Sequence, residues 1–426
     1  MTARIPVLLA FSLVGCSFFS AARARADMVL TVDGKWRPVD DKAPALSADE
    51  DPPGDVIQSS AEAKLDAGYD TVKLSRGGFS TSAGLVSKLV LAERNEAYIQ
   101  ALNNASSNFF EDAADGFLAA SNEMQGFGKQ IALYSRVQAY QSMGDSTKAL
   151  AAADELLAAF PKSYWFCDVY LLKARVAATK NSEDAADDVT KLLATITSAP
   201  GMNNRDLFRA EWTRIFLTLE TRRKFDEAEK AYRDLVAKIE KTDAVQGAVV
   251  RQQALVGVGN CLVQGKKEAE ARGFFEKATE SRNTDVLAGA YLGLGNVALS
   301  EAKALRDADK RAEAKAKLEE AVTQYLRVTV HYKLLGVDDD SPVLEALARQ
   351  AKVFVALFEM SGNKDCESAD RAWKTYRELV DALPAGAAKS GYIKEYKAFD
   401  EKKKAACSVP APAGTDKPAE PAGMDK

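Results

Sequence analysis

Apolar residues recur three and four positions apart along most of this chain, in pairs of short segments set back to back. The stretch Gln130–Pro161 shows it most plainly: Leu133, Val137 and Tyr140 mark one helical face, and Ala149, Ala153, Leu156 and Phe160 mark a second. Gly144 stands between them, where a helix closes most cheaply on a residue that enters the left-handed conformation. Asp145 and Ser146 are placed to cap the second helix and Pro161 to end it. One such helical hairpin cannot bury its own apolar face, so the pattern predicts neighbours of the same kind.

Those neighbours are present. Each second helix carries a small residue, a larger one four positions on, and an apolar one three further. In chain order these are Ala113, Phe117, Ala120; Ala149, Ala153, Leu156; Ala186, Thr190, Leu193; Ala228, Tyr232, Leu235; Ala271, Phe275, Ala278; Ala321, Tyr325, Val328; and Ala372, Tyr376, Leu379. The small residue lets helices approach and the aromatic fills the gap to the next hairpin. The spacing widens from 36 to 51 residues, so the later helices or loops are longer, and the charged run Leu299–Glu320 reads as such a helical extension. The expected fold is all-α: a right-handed superhelix of about seven antiparallel hairpins spanning residues 80–384.

The ends differ in pattern. Residues 1–26 carry Arg4, an apolar run from Ile5 to Phe19 and Ala24-Arg25-Ala26, the layout of a secretory signal peptide. Two exits stay open: cleavage after Ala26, or acylation of Cys16 in Leu13-Val14-Gly15-Cys16, which matches a bacterial lipobox. Residues 27–79 read as a β-hairpin around Asp33-Gly34, a Pro-bearing acidic linker, and a short strand at Thr71–Leu74. Residues 385–405 carry Tyr392, Ile393, Tyr396 and Phe399 beside charged residues, as a terminal capping helix requires. Residues 406–426, rich in Pro and Ala, read as a disordered tail.

Tyr140, Gly144, Ala149 and Pro161, the segment KFDEAEKAYRDLVAK at 224–238, and the segments LVGVGNCLVQG and YLGLGNVAL resemble the tetratricopeptide repeat family. The periods here exceed that family's 34 residues, and the consensus Trp, Leu and Gly of the first helix are often missing. The resemblance implies a stacked scaffold whose first helices line an inner wall that holds protein or peptide partners.

Composition narrows the chemistry. With 57 basic and 61 acidic residues the net charge is −4, and no global field invites nucleic acid. The single histidine, His331, ends a predicted helix, where its cation suits the helix dipole, and it rules out histidine-rich metal sites. Beyond Cys16, the cysteines Cys167, Cys261, Cys366 and Cys407 are far apart and form neither a zinc nor a thioredoxin-type motif. Cys167 and Cys261 fall in helical apolar patterns, as buried inert thiols do, and the spacing assigns no disulfide. Gly293-x-Gly295-x-x-Ala298 imitates a dinucleotide fingerprint, but these glycines sit inside a helical pattern, as do Gly257 and Gly259, and small residues at helix contacts explain both. No catalytic residue, cofactor or metal site emerges.

The candidate ligand-binding residues are therefore on the first helices. Asn260 and Asn296 lie 36 residues apart at one repeat position, with Gln138 and Lys352 at the equivalent place in other hairpins. Inward asparagines in peptide-binding relatives hydrogen-bond a ligand backbone, since an amide both donates and accepts. The expected function is an exported, non-catalytic scaffold, periplasmic or secreted, that binds protein or peptide partners in an envelope assembly. The alternative is a lipid-anchored structural subunit, its membrane contact made only through Cys16. A more remote one is an enzyme with its site in the N-terminal β segment, which Trp36 and scattered acidic residues motivate.

Overall fold

The computed structural model describes residues 28–31, 36–37, 65–74, 80–90, 95–180, 184–331, 342–361 and 366–382, and helical residues at positions 393, 394, 397, 400, 401, 404 and 407. It divides into two compact units, residues 1–290 with 334–336, and residues 291–333 with 337–426. The expected signal peptide, Asp33-Gly34 turn and acidic linker, and residues 408–426 of the expected tail, lie outside the described residues.

Among the described residues the first unit opens with six strands. β1 (Met28–Thr31) pairs antiparallel with β2 (Trp36–Arg37), Leu30 opposite Trp36, as the hairpin pattern predicts. The other partner of β1 is β6 (Val86–Val90). The expected strand β4 (Thr71–Leu74) forms but does not join this hairpin; it is central in a second sheet, between β3 (Leu65–Ala67) and β5 (Ser80–Ser82). A 3₁₀ turn at Ala83–Leu85, capped by the Ser82 hydroxyl on the Gly84 N–H, joins β5 to β6. The expected start of the helices at residue 80 is thus corrected: the β segment runs to Val90. The Val86–Val90 stretch is too short and β-branched to sustain a helix, and it completes a sheet instead.

Helices follow in antiparallel hairpins: α1 (Glu96–Ser106) with α2 (Phe110–Glu123), α3 (Gly126–Ser142) with α4 (Ser146–Ala159), and α5 (Phe166–Ala178) with α6 (Ala185–Thr197). Next come α7 (Asn204–Ile215), prolonged by a π-helical turn at Phe216–Glu220, with α8 (Phe225–Thr242), then α9 (Ala248–Gln264) with α10 (Glu268–Ala278). α11 (Thr284–Asp307) begins in the first unit, where Val286 and Ala290 pack with Leu255 and Ala278. The second unit holds the rest of α11 with α12 (Arg311–His331), α13 (Pro342–Ser361) and α14 (Cys366–Ala382). The charged run Leu299–Glu320 is divided between α11 and α12, the two longest helices described, which accounts for the widened spacing.

One device closes five of the first helices. Asn108, Gly144, Arg223, Lys266 and Asp309 each adopt a positive φ of 55–75°, two residues before the second helix begins. The next residue's N–H reaches five residues back: Phe109 to Asn104, Asp145 to Tyr140, Lys224 to Leu219, Lys267 to Leu262 and Lys310 to Leu305, all at 2.9–3.0 Å. This is the Schellman closure, which satisfies carbonyls the helix end would leave bare.

The recurring small–large–apolar triplets are buried in α2, α4, α8, α10 and α12. In α6 the register moves by one. Ala185, Val189, Leu193 and Ile196 are buried, whereas Thr190 is exposed and its hydroxyl returns to the Ala186 carbonyl. A valine outbids a threonine for the interior. In α14 the described buried positions are Trp373 and Val380; the burial of Ala372, Tyr376 and Leu379 lies outside the described residues. Cys407, inside the stretch expected to be tail, is helical and bridged to Cys366. Cys167 and Cys261 are buried free thiols.

Candidate functional site

In the first unit α3, α5 and α7 are the first helices of successive hairpins and lie side by side, with α9 next. Their facing side chains form a wall. The aromatic part is a stack: Trp165 lies flat on Tyr134, ring centroids 4.7 Å apart, and on Phe127 at 5.3 Å, with Tyr164 edge-on. Beside it is a charged cluster drawn from α5 and α7. Asp206, 1% exposed, accepts from Arg209 at 3.0 Å and Arg205 at 3.3 Å, and Arg209 also pairs with Asp168 of the preceding hairpin. Asn203 caps α7 by accepting the Asp206 N–H at 3.0 Å, and donates back to Asp206 Oδ2 at 2.9 Å. The cluster is two carboxylates against two guanidiniums, and Asn203 bonds the second oxygen of the buried Asp206; pairing together with hydrogen bonding is the condition under which buried charges are tolerated.

Burial alone would raise the Asp206 carboxyl, but Arg205 and Arg209 beside it, with Asn203, hold it below the ordinary carboxylate value. Burial pushes the Tyr134 phenol and the Cys167 thiol well up, so Cys167 is no nucleophile at neutral pH. Above this cluster is a cavity of about 80 Å³, lined by Tyr134 and Gln141 of α3, Asp168, Leu172 and Arg175 of α5, and Arg209 of α7. Arg175 is exposed and, among the described residues, has no acidic partner. The arrangement offers a guanidinium, a phenol and apolar side chains to whatever lies against the wall. Among the described residues no group of three or more His, Cys, Asp or Glu is placed to hold a metal.

The four residues singled out from sequence are placed differently. Asn260, on α9, is half-buried and donates at 3.2 Å to Glu220 Oε1. Glu220 Oε2 accepts from the Tyr232 hydroxyl at 2.6 Å, so a single carboxylate ties α7, α8 and α9 together. Asn296, in the second unit, accepts from the Tyr325 hydroxyl at 2.9 Å. The contrast has a chemical reason. Where the aromatic of the second helix is a tyrosine, its hydroxyl takes a polar group from its own first helix: Glu220 for Tyr232, Asn296 for Tyr325. In the hairpin between, the aromatic is Phe275, which has no hydroxyl, and Asn260 turns to Glu220 instead. Each asparagine thus spends one half of its amide inside the protein. Gln138, on α3, is half-buried, and its buried Oε1 has no hydrogen-bond partner among the described residues. Lys352, on α13, is exposed.

The sequence reading passed over Asp168, Asp206, Arg205 and Arg209. The Asn203-x-x-Asp206 pair before an apolar run is a legible capping signal. The pairing of Arg209 with Asp168, 41 residues earlier, is not.

No family model and no curated protein matches the chain. Among solved structures, that of Pseudomonas aeruginosa pilF is 17% identical and aligns over 64% of this chain and 97% of its own, with a TM-score of 0.36. The APC/C hetero-tetramer Cut9-Hcn1 is 13% identical over 73% of this chain and 74% of its own, with a TM-score of 0.22. Likenesses at this distance carry no argument about what the present chain binds, which rests on its own wall of first helices.

Proposed function

We propose that this protein is an exported, non-catalytic scaffold that binds a protein or peptide partner along the wall formed by α3, α5 and α7. The observation that carries the reading is the cavity between Tyr134, Arg175 and Arg209. It joins side chains from three successive hairpins, so only the stacked array creates it. Two features support export: the signal-peptide layout of residues 1–26, and the Cys366–Cys407 disulfide, a bond that persists in oxidising compartments. Work in an envelope assembly is part of the same proposal.

The test is site-specific photo-crosslinking in the native host. A photoreactive residue at Gln141, exposed at the cavity, should give a discrete adduct, and Arg175→Glu should abolish it. A photoreactive residue at exposed Lys191, on the second helix α6, should give none. Identical adducts at both positions, or an adduct indifferent to Arg175→Glu, would overturn the wall as the binding surface.

A second reading rests on Leu13-Val14-Gly15-Cys16: a lipid-anchored structural subunit. Mass spectrometry of the mature N-terminus separates the two, since Asp27 as first residue excludes the anchor and an acylated Cys16 establishes it.

A further inference from the structure

In a plain helical-repeat array each hairpin touches only its neighbours, and stability is a sum of local and nearest-neighbour contributions. The first unit departs from this. Residues 65–74 and 80–86, comprising β3, β4, β5, the 3₁₀ turn and the first residue of β6, lie at the N-terminal ends of the first helices and are gripped there at successive hairpins. Gln130 of α3 donates to the Ala67 carbonyl at 3.2 Å, while its own Oε1 accepts from the Ser163 hydroxyl at 2.9 Å and the Tyr164 N–H at 2.7 Å. The Tyr69 N–H donates to the Lys162 carbonyl at 3.2 Å, and its ring packs on Phe166 of α5 at 5.1 Å. Asn203, capping α7, donates to the Tyr69 carbonyl at 2.7 Å, and Arg205 donates to the Val86 carbonyl at 3.2 Å. Next to α9, Gln246 and Asn203 close over Gly84: a Cβ there would overlap Gln246 Oε1 and stand 2.9 Å from Asn203 Oδ1.

These bonds read main-chain carbonyls. They are the amide-to-backbone contacts expected of Asn260 and Asn296, made instead by Gln130 and Asn203 to the chain's own N-terminal segment. Ala67, Val72, Ala83 and Val86 are buried in one core with Phe127, Ile131 and Trp165, so the segment is seated, not draped. Two of its anchors, Asn203 and Arg205, also hold Asp206, and Asp206 holds Arg209 beside the cavity.

We propose that residues 65–74 and 80–86 act as a clamp in cis. It couples the hairpins of α3, α5 and α7, which a bare array would leave to move separately, and fixes the wall around the Arg209–Asp168 pair in one geometry. This inference stands on intramolecular contacts and holds whatever partner the wall takes.

Hydrogen exchange on the full-length mature protein tests it through substitutions in the clamp alone. Tyr69→Ala removes a buried anchor that touches α5 and, through its hydroxyl, the Pro200 carbonyl, but not α3. The clamp predicts about tenfold faster exchange in α3 as well as in α5 and α7, with α10 unchanged. Gly84→Ala, which wedges the clamp from Gln246 and Asn203, should give the same pattern more mildly and serves if Tyr69→Ala does not fold. Acceleration confined to the immediate neighbours of the altered residue, with α3 at its wild-type rate, would overturn the proposal.

Discussion

Gly295 of α11 lies beneath the ring of Tyr325 on α12: a Cβ added at Gly295 would overlap ring atom Cε1 and stand 2.8 Å from Cδ1. Gly259 stands in the same relation to Phe275, where an added Cβ would be 2.6 Å from Cε1, and Gly257 to Tyr232 at 2.5 Å. These are contacts with rings that are themselves fully buried, so the neighbour has nowhere to go. Gly295→Ala should therefore destabilise the second unit by about 1–3 kcal/mol, the range of overpacked cores. Gly273, inside α10 with open space around it, should respond oppositely: Gly273→Ala gains about 0.5–1 kcal/mol from helix propensity alone. Thermal denaturation of the two variants checks the sign. Equal and small effects would mean that the glycines are incidental to helix approach.

The five Schellman closures carry a second prediction. Only Gly144 is a glycine; Arg223 and Lys266 hold φ of 60° and 59° with exposed side chains. The left-handed region costs an L-residue roughly 1–2 kcal/mol, less for Asn and Asp. Arg223→Gly and Lys266→Gly should each stabilise the first unit by about 1 kcal/mol, part of the gain being lost to the greater freedom of glycine in the unfolded chain. The same change at Asn108 should do little, since asparagine already tolerates this conformation. Denaturant midpoints for the three variants give the ranking directly.

That turn also shows how far the sequence could be read. The hairpins were legible because burial repeats every three or four residues, and Gly144 announced one turn. Asn108 is a weaker form of the same signal, and the remaining three turns use Arg, Lys and Asp, which announce it less or not at all, although their backbone does the same thing. The α6 register was misplaced because Ala186 and Thr190 satisfy the same pattern as Ala185 and Val189, and only packing chooses the valine. Small glycines at helix contacts were foreseen; the rings they touch were not. Neither was the clamp, whose bonds from Gln130 to Ala67 and from Asn203 to Tyr69 span 63 and 134 residues. Local periodicity has no access to partners at that separation.

The Cys366–Cys407 bridge supplies a third prediction. It closes a loop of 41 residues, for which the chain-entropy account gives about 4 kcal/mol of stabilisation. Cys366→Ser, or treatment with a reductant, should lower the unfolding transition of the second unit and leave that of the first unit in place, because the buried thiols Cys167 and Cys261 have no bond to lose. Thiol titration of denatured protein from the native host should find these two free cysteines, with the other two oxidised. Finding all four reduced would remove the disulfide as support for export.

Glu220 gives the pH dependence. Burial raises its carboxyl above the ordinary value of 4.5, against the opposing pull of hydrogen bonds from Tyr232 and Asn260, and among the described residues no cation pairs with it. A carboxyl whose pKa is higher folded than unfolded binds more protons in the folded state between those two values, so stability falls as pH rises through that window. Above the folded value the whole cost of burying the charge is present; below 4.5 none of it is. Glu220→Gln keeps an acceptor for the Tyr232 hydroxyl, and an amide flip of Asn260 meets the new NH₂ group. The variant should therefore melt higher than wild type at pH 7, and the two should converge as pH falls through 4.5. Asp206 acts with the opposite sign: its depressed pKa gives stability that is complete above the unfolded value and is lost as pH falls through the folded one. Melting curves of Glu220→Gln and wild type from pH 3 to pH 8 separate these contributions, because only the Glu220 part differs between the proteins. A difference that stays constant across that range would show that Glu220 acts by shape and hydrogen bonding, with its charge of no consequence.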